Sequence, residues 1–125
     1  AYFSVTGTDD EVVPFVNENN WRTNAFFCAW TAYQTMNGME VSSRPDFSKD
    51  ATFGIALKDR EVISTNKRVT MEAGVLYKGT FRVIKVVAVN DYGHWNFKPD
   101  ARLMWDFMKQ FSRDPRTKKL VYGKR

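Results

Sequence analysis

Phe81-Arg82-Val83-Ile84-Lys85-Val86-Val87-Ala88-Val89 runs directly into Asn90-Asp91-Tyr92-Gly93-His94-Trp95. In the first stretch apolar, mostly β-branched side chains occupy both alternating sets of positions, so neither face of a strand built from them could rest in water. A half-exposed antiparallel strand alternates apolar with polar residues; a strand covered by helices on both sides does not. Residues 81 to 89 therefore read as a central strand of a parallel sheet, and the chain as an α/β protein. The polar loop that follows occupies the place where reactive groups gather in open α/β sheets, beyond the carboxyl end of a strand.

Upstream, Ala1-Tyr2-Phe3-Ser4-Val5 has similar strand character and ends in Thr6-Gly7-Thr8-Asp9-Asp10, a turn-forming cluster with two adjacent acids. A second strand entering a loop is expected there. Between the two strands, Trp21, Ala25, Ala29, Ala32 and Met36 fall on one helical stripe flanked by Phe26, Trp30 and Tyr33, with capping side chains available at Asn17 to Asn20 and a stop at Asn37-Gly38. Beyond the histidine, Pro99 and Asp100 open another helix. Its positions Ala101, Met104, Trp105, Met108 and Phe111, widened by Leu103 and Phe107, predict a stripe turned to the core, and Arg113-Asp114-Pro115 ends it.

Residues 39 to 79 are patterned less clearly. A polar stretch broken by Pro45 precedes alternating segments at Thr52 to Leu57, Glu61 to Ser64 and Arg68 to Leu76. Turn signals at Thr65-Asn66-Lys67 and Lys78-Gly79 suggest a hairpin or excursion from the sheet.

The chain has 125 residues, enough for one core, and a formal charge of +5. That charge lies at the end: residues 109 to 125 carry +6, and the first 108 residues are close to neutral at −1. A basic terminus without interleaved aromatics reads as a solvated surface, so no nucleic-acid partner is expected. No membrane partner is expected either, since no apolar run approaches the roughly 18 residues that a spanning helix needs. Cys28 is the one cysteine, and its place in an apolar helical pattern predicts a small buried hydrophobe. One histidine and one cysteine, far apart in sequence, make no metal site, and no cofactor is expected.

Chemistry is expected where the two loops meet. Asp10 and His94 are 84 residues apart, but parallel neighbours joined by a crossover helix bring their carboxyl ends together. A carboxylate bonded to one ring nitrogen of the sole histidine would hold the tautomer whose other nitrogen can take a proton from a nucleophile. Asp9, the adjacent acid on the same loop, is the other candidate there, and Asp91 reads more readily as a loop-capping side chain. Tyr92 and Trp95 flank the histidine and are candidates to stack on an aromatic acyl group or a sugar ring; packing beneath the loop is the alternative.

Gly7-Thr8-Asp9-Asp10-Glu11-Val12-Val13-Pro14 resembles the G-T-x-D-x-x-V-P acid loop of α/β-hydrolases. Gly93-His94-Trp95, between a buried strand and the helix through Leu103 to Phe111, is similar to the histidine loop and last helix of secreted esterases. Both loops are similar to those of the feruloyl and acetylxylan esterases of carbohydrate esterase family one and of the polyhydroxybutyrate depolymerase-like esterases, and the order of acid before histidine agrees with that resemblance. The resemblance implies a serine esterase with Asp10 and His94 as triad acid and base, an ester of a small molecule or polysaccharide as substrate, and a secreted or periplasmic location.

The departure from that pattern is large. No G-x-S-x-G occurs, and Ser4, Ser42, Ser43, Ser48, Ser64 and Ser112 all lack the flanking glycines of a nucleophile elbow. Residues 1–125 are therefore expected to be the carboxy-terminal part of a single α/β-hydrolase catalytic domain, with the serine and the oxyanion amides upstream. The chain opens without methionine and goes straight into strand-like sequence, which reads as a cut. Alone, such a piece is expected to be inactive and marginally stable or prone to aggregate. The competing expectation is a self-contained, non-catalytic α+β module that binds a ligand or partner, its antiparallel sheet from residues 52 to 89 packed on the two aromatic-rich helices.

Overall fold

The computed structural model describes residues 1–64, 69–94 and 99–122. Among them, six strands and two helices follow in the order β1 (Tyr2–Gly7), α1 (Ala25–Met36), β2 (Lys58–Ser64), β3 (Thr70–Lys78), β4 (Phe81–Val89), α2 (Pro99–Met108), β5 (Phe111–Arg113) and β6 (Leu120–Tyr122). The main sheet has the order β1-β4-β3-β2. β1 and β4 are parallel neighbours, in register from Tyr2 opposite Ile84 to Gly7 opposite Val89. The remaining pairs, β4 with β3 and β3 with β2, are antiparallel.

The doubly apolar pattern of β4 is borne out from Val83 onward, while Phe81 and Arg82 are exposed. One face of the sheet carries Ile84, Val86 and Ala88 against Phe27 and Trp30 of α1, with Phe53 and Ile55 filling the same layer. The opposite face carries Val87 and Val89 with Met71 and Ala73, packed by Phe3, Val5 and Leu103 of α2. Lys85 is tolerated in this strand because its ammonium reaches outward to Glu61 at 3.0 Å.

The region after Gly38 is more ordered than an excursion. Lys78 pairs with Phe81 around a tight turn, Gly79 taking φ +60°, and β2 and β3 extend the same sheet. The stretch Thr52 to Leu57, expected to alternate as a strand, is instead a compact turn. Asp50 Oδ1 accepts the amides of Thr52 (3.0 Å) and Phe53 (2.8 Å), Gly54 donates back to the Asp50 carbonyl, and Phe53 and Ile55 are thereby driven into the core. Gly74 of β3 lets this segment cross the sheet, because a Cβ there would meet Leu57 side-chain atoms at 2.7 Å. The turn expected at Thr65-Asn66-Lys67 lies outside the described residues.

Both helices exist, but each packs inward the margin of the stripe expected, Trp30 in α1 and Leu103 and Phe107 in α2, and turns most of its centre outward. In α1 the buried residues are Phe27, Trp30 and Gln34, whereas Ala25, Ala32 and Met36 are exposed. Its cap is Asn24 rather than Asn17 to Asn20, and Trp21 precedes the helix. Large aromatic rings remove more apolar area from water than alanine methyls do, so they set the rotation. Cys28 is exposed on the outer side, contrary to the buried place expected for it. In α2, Leu103 and Phe107 face the sheet, while Met104, Trp105 and Met108 of the expected core stripe are 48%, 63% and 38% exposed. Among the described residues, no helix is long and apolar enough to cross a membrane.

The charged terminus forms a small hairpin of its own, β5 with β6. Asp114 Oδ1 caps its turn by accepting the amides of Arg116 and Thr117, and Tyr122 packs its ring on Phe81 and Phe111.

Asn24 links the acid loop to the core. Its Oδ1 accepts the Phe27 amide at 3.0 Å and its Nδ2 donates to the Pro14 carbonyl at 2.7 Å, with the residue itself buried. Asn24→Ala should cost about 1–2 kcal/mol in urea unfolding, the range for losing a cap. Asn24→Asp, which keeps the cap acceptor but not the donor to Pro14, should fall between the two; equal stability of all three proteins would refute the dual role.

Candidate active site

β1 and β4 end level with each other, so the loops that leave them start side by side. The parallel ladder continues one step past β1, where the Thr8 amide donates to the Val89 carbonyl at 3.0 Å. The Asp9 amide donates to the Tyr92 carbonyl at 3.0 Å, and the Asp91 amide donates to Thr8 Oγ1 at 2.8 Å. Gly7 faces the other loop so closely that a Cβ there would sit 2.0 Å from the Tyr92 carbonyl oxygen and 2.7 Å from that of Gly93. Asn90 binds the far side of the histidine loop to β3, through Thr70 at 2.9 Å from both its backbone and its side chain.

Asp10 and His94 meet across this seam. His94 Nδ1 lies 2.8 Å from Asp10 Oδ2. The other carboxylate oxygen, Oδ1, accepts the amides of Val12 (2.8 Å) and Val13 (2.9 Å). An ionised carboxylate can only accept, so the hydrogen of the contact belongs to Nδ1 and the lone pair of the neutral ring to Nε2. The Asp10 side chain is 6% exposed and that of His94 is 55% exposed. The acid is thus held from below by the protein, and the imidazole stands open to whatever approaches the rim.

Burial by itself would raise the Asp10 carboxyl, but hydrogen bonds from the Val13 amide, His94 and the Val12 amide outweigh it and hold the group below the usual carboxylate range. The aspartate therefore stays charged, as a group that orients an imidazole must.

Of the other residues singled out in the sequence, Asp9 is exposed, its amide rather than its carboxylate engaged. Asp91 is exposed in the left-handed conformation at φ +56°. Tyr92 is half-buried and packs against the Met71, Ala73, Val87 and Val89 cluster. Trp95 lies outside the described residues. Gly7 and Thr8 received no role from sequence reasoning, although a glycine at the last position of a strand is a signal of close backbone approach. The amides of Val12 and Val13 had no signal beyond the spacing of an Asx turn.

An open cavity of about 430 Å³ adjoins the rim, bordered by Thr8, Phe15, Asn17, Phe47, Thr52 and Asn90. A larger one, about 590 Å³, lies by the β3–β4 turn, and neither Asp10 nor His94 lines it. Among the described residues, no group of three or more His, Cys, Asp or Glu side chains could hold a metal ion. Compared with protein-family models, curated proteins and solved structures, the chain matches none of them.

The depressed Asp10 carboxyl has a pH signature. A group with a lowered folded-state pKa contributes stability that is fully present above its unfolded value, about 3.9 for aspartate, and is lost as pH falls through the folded value. Asp10→Asn should therefore lower the urea midpoint at pH 7, with the gap to the parent chain shrinking below about pH 4. A gap that stays constant into strong acid would show that the carboxylate is not the source.

Proposed function

We propose that this chain supplies the acid and the base of a serine esterase, Asp10 orienting His94 for the hydrolysis of a carboxylic ester, within an α/β-hydrolase domain whose nucleophile lies on a preceding segment. One observation carries it: the 2.8 Å contact between His94 Nδ1 and Asp10 Oδ2 at the carboxyl rim of two parallel strands. In the proposed reaction His94 Nε2 takes the serine proton as the hydroxyl oxygen attacks the ester carbonyl. It returns that proton to the departing alcohol as the tetrahedral intermediate collapses to an acyl-enzyme. Water then repeats the sequence, releasing the carboxylic acid and restoring the serine. Asp10 keeps its charge throughout and stabilises the imidazolium.

An uncovered sheet edge supports this reading. β2, at one edge, carries Lys58, Asp59, Arg60 and Glu61, the charges that protect an edge from pairing. β1, at the other edge, has no charged residue, and a groove of about 320 Å³ runs beside it between Phe26 of α1 and Ala101 and Met104 of α2. A further strand along β1 would extend the sheet toward a serine facing His94. Of the serines within the chain, Ser4 is buried, Ser42 is bonded to Gln34 and Ser48 to Asp46. The exposed histidine and the resemblance of the two loops to feruloyl and acetylxylan esterases favour acyl groups on a polysaccharide as substrate.

The antiparallel run β2-β3-β4 favours a second reading, a non-catalytic α+β binding module. The two separate in one assay. In the protein that includes the preceding segment, hydrolysis of an aryl acetate or methyl ferulate should fall by about 10⁶ in kcat for His94→Ala and by about 10⁴ for Asp10→Asn, as when the base or the acid of a triad is lost. Glu11→Gln, which removes a neighbouring exposed acid, should keep its activity. Full turnover by His94→Ala would end the esterase reading.

A further inference from the structure

Among the described residues, three hydrogen bonds and one close approach join the two loops beside the Asp10–His94 contact itself, and they are not equivalent. Two of the bonds, Thr8 to Val89 and Asp9 to Tyr92, run from backbone to backbone and would form with almost any side chains. The third is different: the Asp91 amide donates to the side-chain oxygen Thr8 Oγ1 at 2.8 Å. It acts on the residue where the histidine loop reverses, Asp91, whose φ of +56° is uncommon for a residue with a side chain. That residue lies three positions before His94. On the other side of the seam Gly7 leaves the Tyr92 and Gly93 carbonyls the space they occupy, with a Cβ at that point falling 2.6 Å from the Tyr92 carbonyl carbon.

We propose that Thr8 is a positioning residue for His94: its hydroxyl oxygen holds the Asp91 amide, fixing the reversal of the histidine loop over Gly7 so that the imidazole meets Asp10. The inference rests on His94 being the base, but the geometric part of it can be tested without turnover. Asp10 is held by its own loop, through Val12 and Val13, whether or not the histidine arrives. His94, 55% exposed in its side chain, has its carboxylate contact determined by where the loop delivers it. A hydroxyl on the acid loop that grips the histidine loop is therefore the side-chain element that couples the two halves of the dyad. The methyl group of Thr8 has no part in this, so serine should serve and valine should not.

His94 is the only histidine in the sequence, so a histidine-labelled chain gives one set of imidazole signals. In the parent chain the ring nitrogens should report the Nδ1–H tautomer with a downfield Nδ1–H proton, and Asp10→Asn should remove that proton. Thr8→Val should weaken or remove it while leaving the amide pattern of β1 and β4 in place; Thr8→Ser should restore it. Should Thr8→Val not fold, Thr8→Ala provides the same loss of the acceptor without the added methyl. In the intact enzyme, Thr8→Val should lower kcat about 10- to 100-fold with KM little changed, the scale of a small misplacement of a reacting group, and Thr8→Ser should recover it. A folded Thr8→Val or Thr8→Ala chain with the parent Nδ1–H signal overturns the clasp, even where His94→Ala abolishes turnover. If His94→Ala keeps full turnover while the signal still depends on Thr8, the base assignment falls and the clasp stands as a structural link only.

Discussion

The parallel pairing of β1 with β4 is the constraint on which the rest depends. Its register brings Gly7 level with Val89, and two loops that are far apart along the chain consequently leave the sheet at one point. Parallel strands cannot be joined by a tight turn. The chain between them here includes α1, the compact turn at residues 50–54 and the β2–β3 hairpin, and that material supplies most of one core layer. The crossover is thus both the link that makes the parallel pair possible and the cover that makes a doubly apolar β4 stable.

Packing then decides how the covering elements are turned. Phe15, Trp30 and Phe53 meet edge to face at 5.8 to 6.5 Å between ring centroids, a geometry in which aromatic pairs contribute beyond their buried area. This cluster draws Phe27 and Trp30 of α1 inward. Around it, Arg60 of β2 pairs with Asp50 at 3.3 Å and lies over the Phe53 ring, while Glu72 of β3 takes the Thr52 hydroxyl at 2.7 Å, so the turn is fastened to both strands by polar contacts at the margin of the core. On the other face, the contact of α2 with β1 through Phe3 and Phe107 at 6.2 Å leaves the Met104, Trp105 and Met108 side outward.

Electrostatics at the rim follow from this placement. Asp10 is buried enough to be shielded and hydrogen-bonded enough to stay ionised, and the imidazole it holds projects from the protein. Buried charge is costly unless its lone pairs are met. Two amides and one ring N–H meet them here, on both carboxylate oxygens. The acid loop's own turn holds the two amides, and the seam with the missing Cβ of Gly7 leaves room for the loop that brings the ring N–H, so the chemistry proposed for the site depends on backbone contacts as much as on the two side chains that would perform it.

Several of these features are determined by the sequence alone, because they depend on local composition. The β character of 81 to 89 follows from apolar residues on both alternating faces, the end of α1 from Asn37-Gly38, and the β3–β4 turn from Lys78-Gly79. The meeting of Asp10 and His94 could be anticipated from their positions after strands. Tertiary structure alone decided which side of each helix is buried, since Ala25 and Met36 compete with Phe27 and Trp30 on equal periodic terms until a core is present to favour the larger rings. It also decided that Thr52 to Leu57 closes as a turn, because the Asp50 carboxylate offers its amides a better partner than a neighbouring strand, and that β2 and β3 join the sheet antiparallel. The roles of Gly7 and Thr8 belong to the same class: a close approach and a hydroxyl hydrogen bond exist only once two loops 83 residues apart share one edge, and no local pattern names the partner of either.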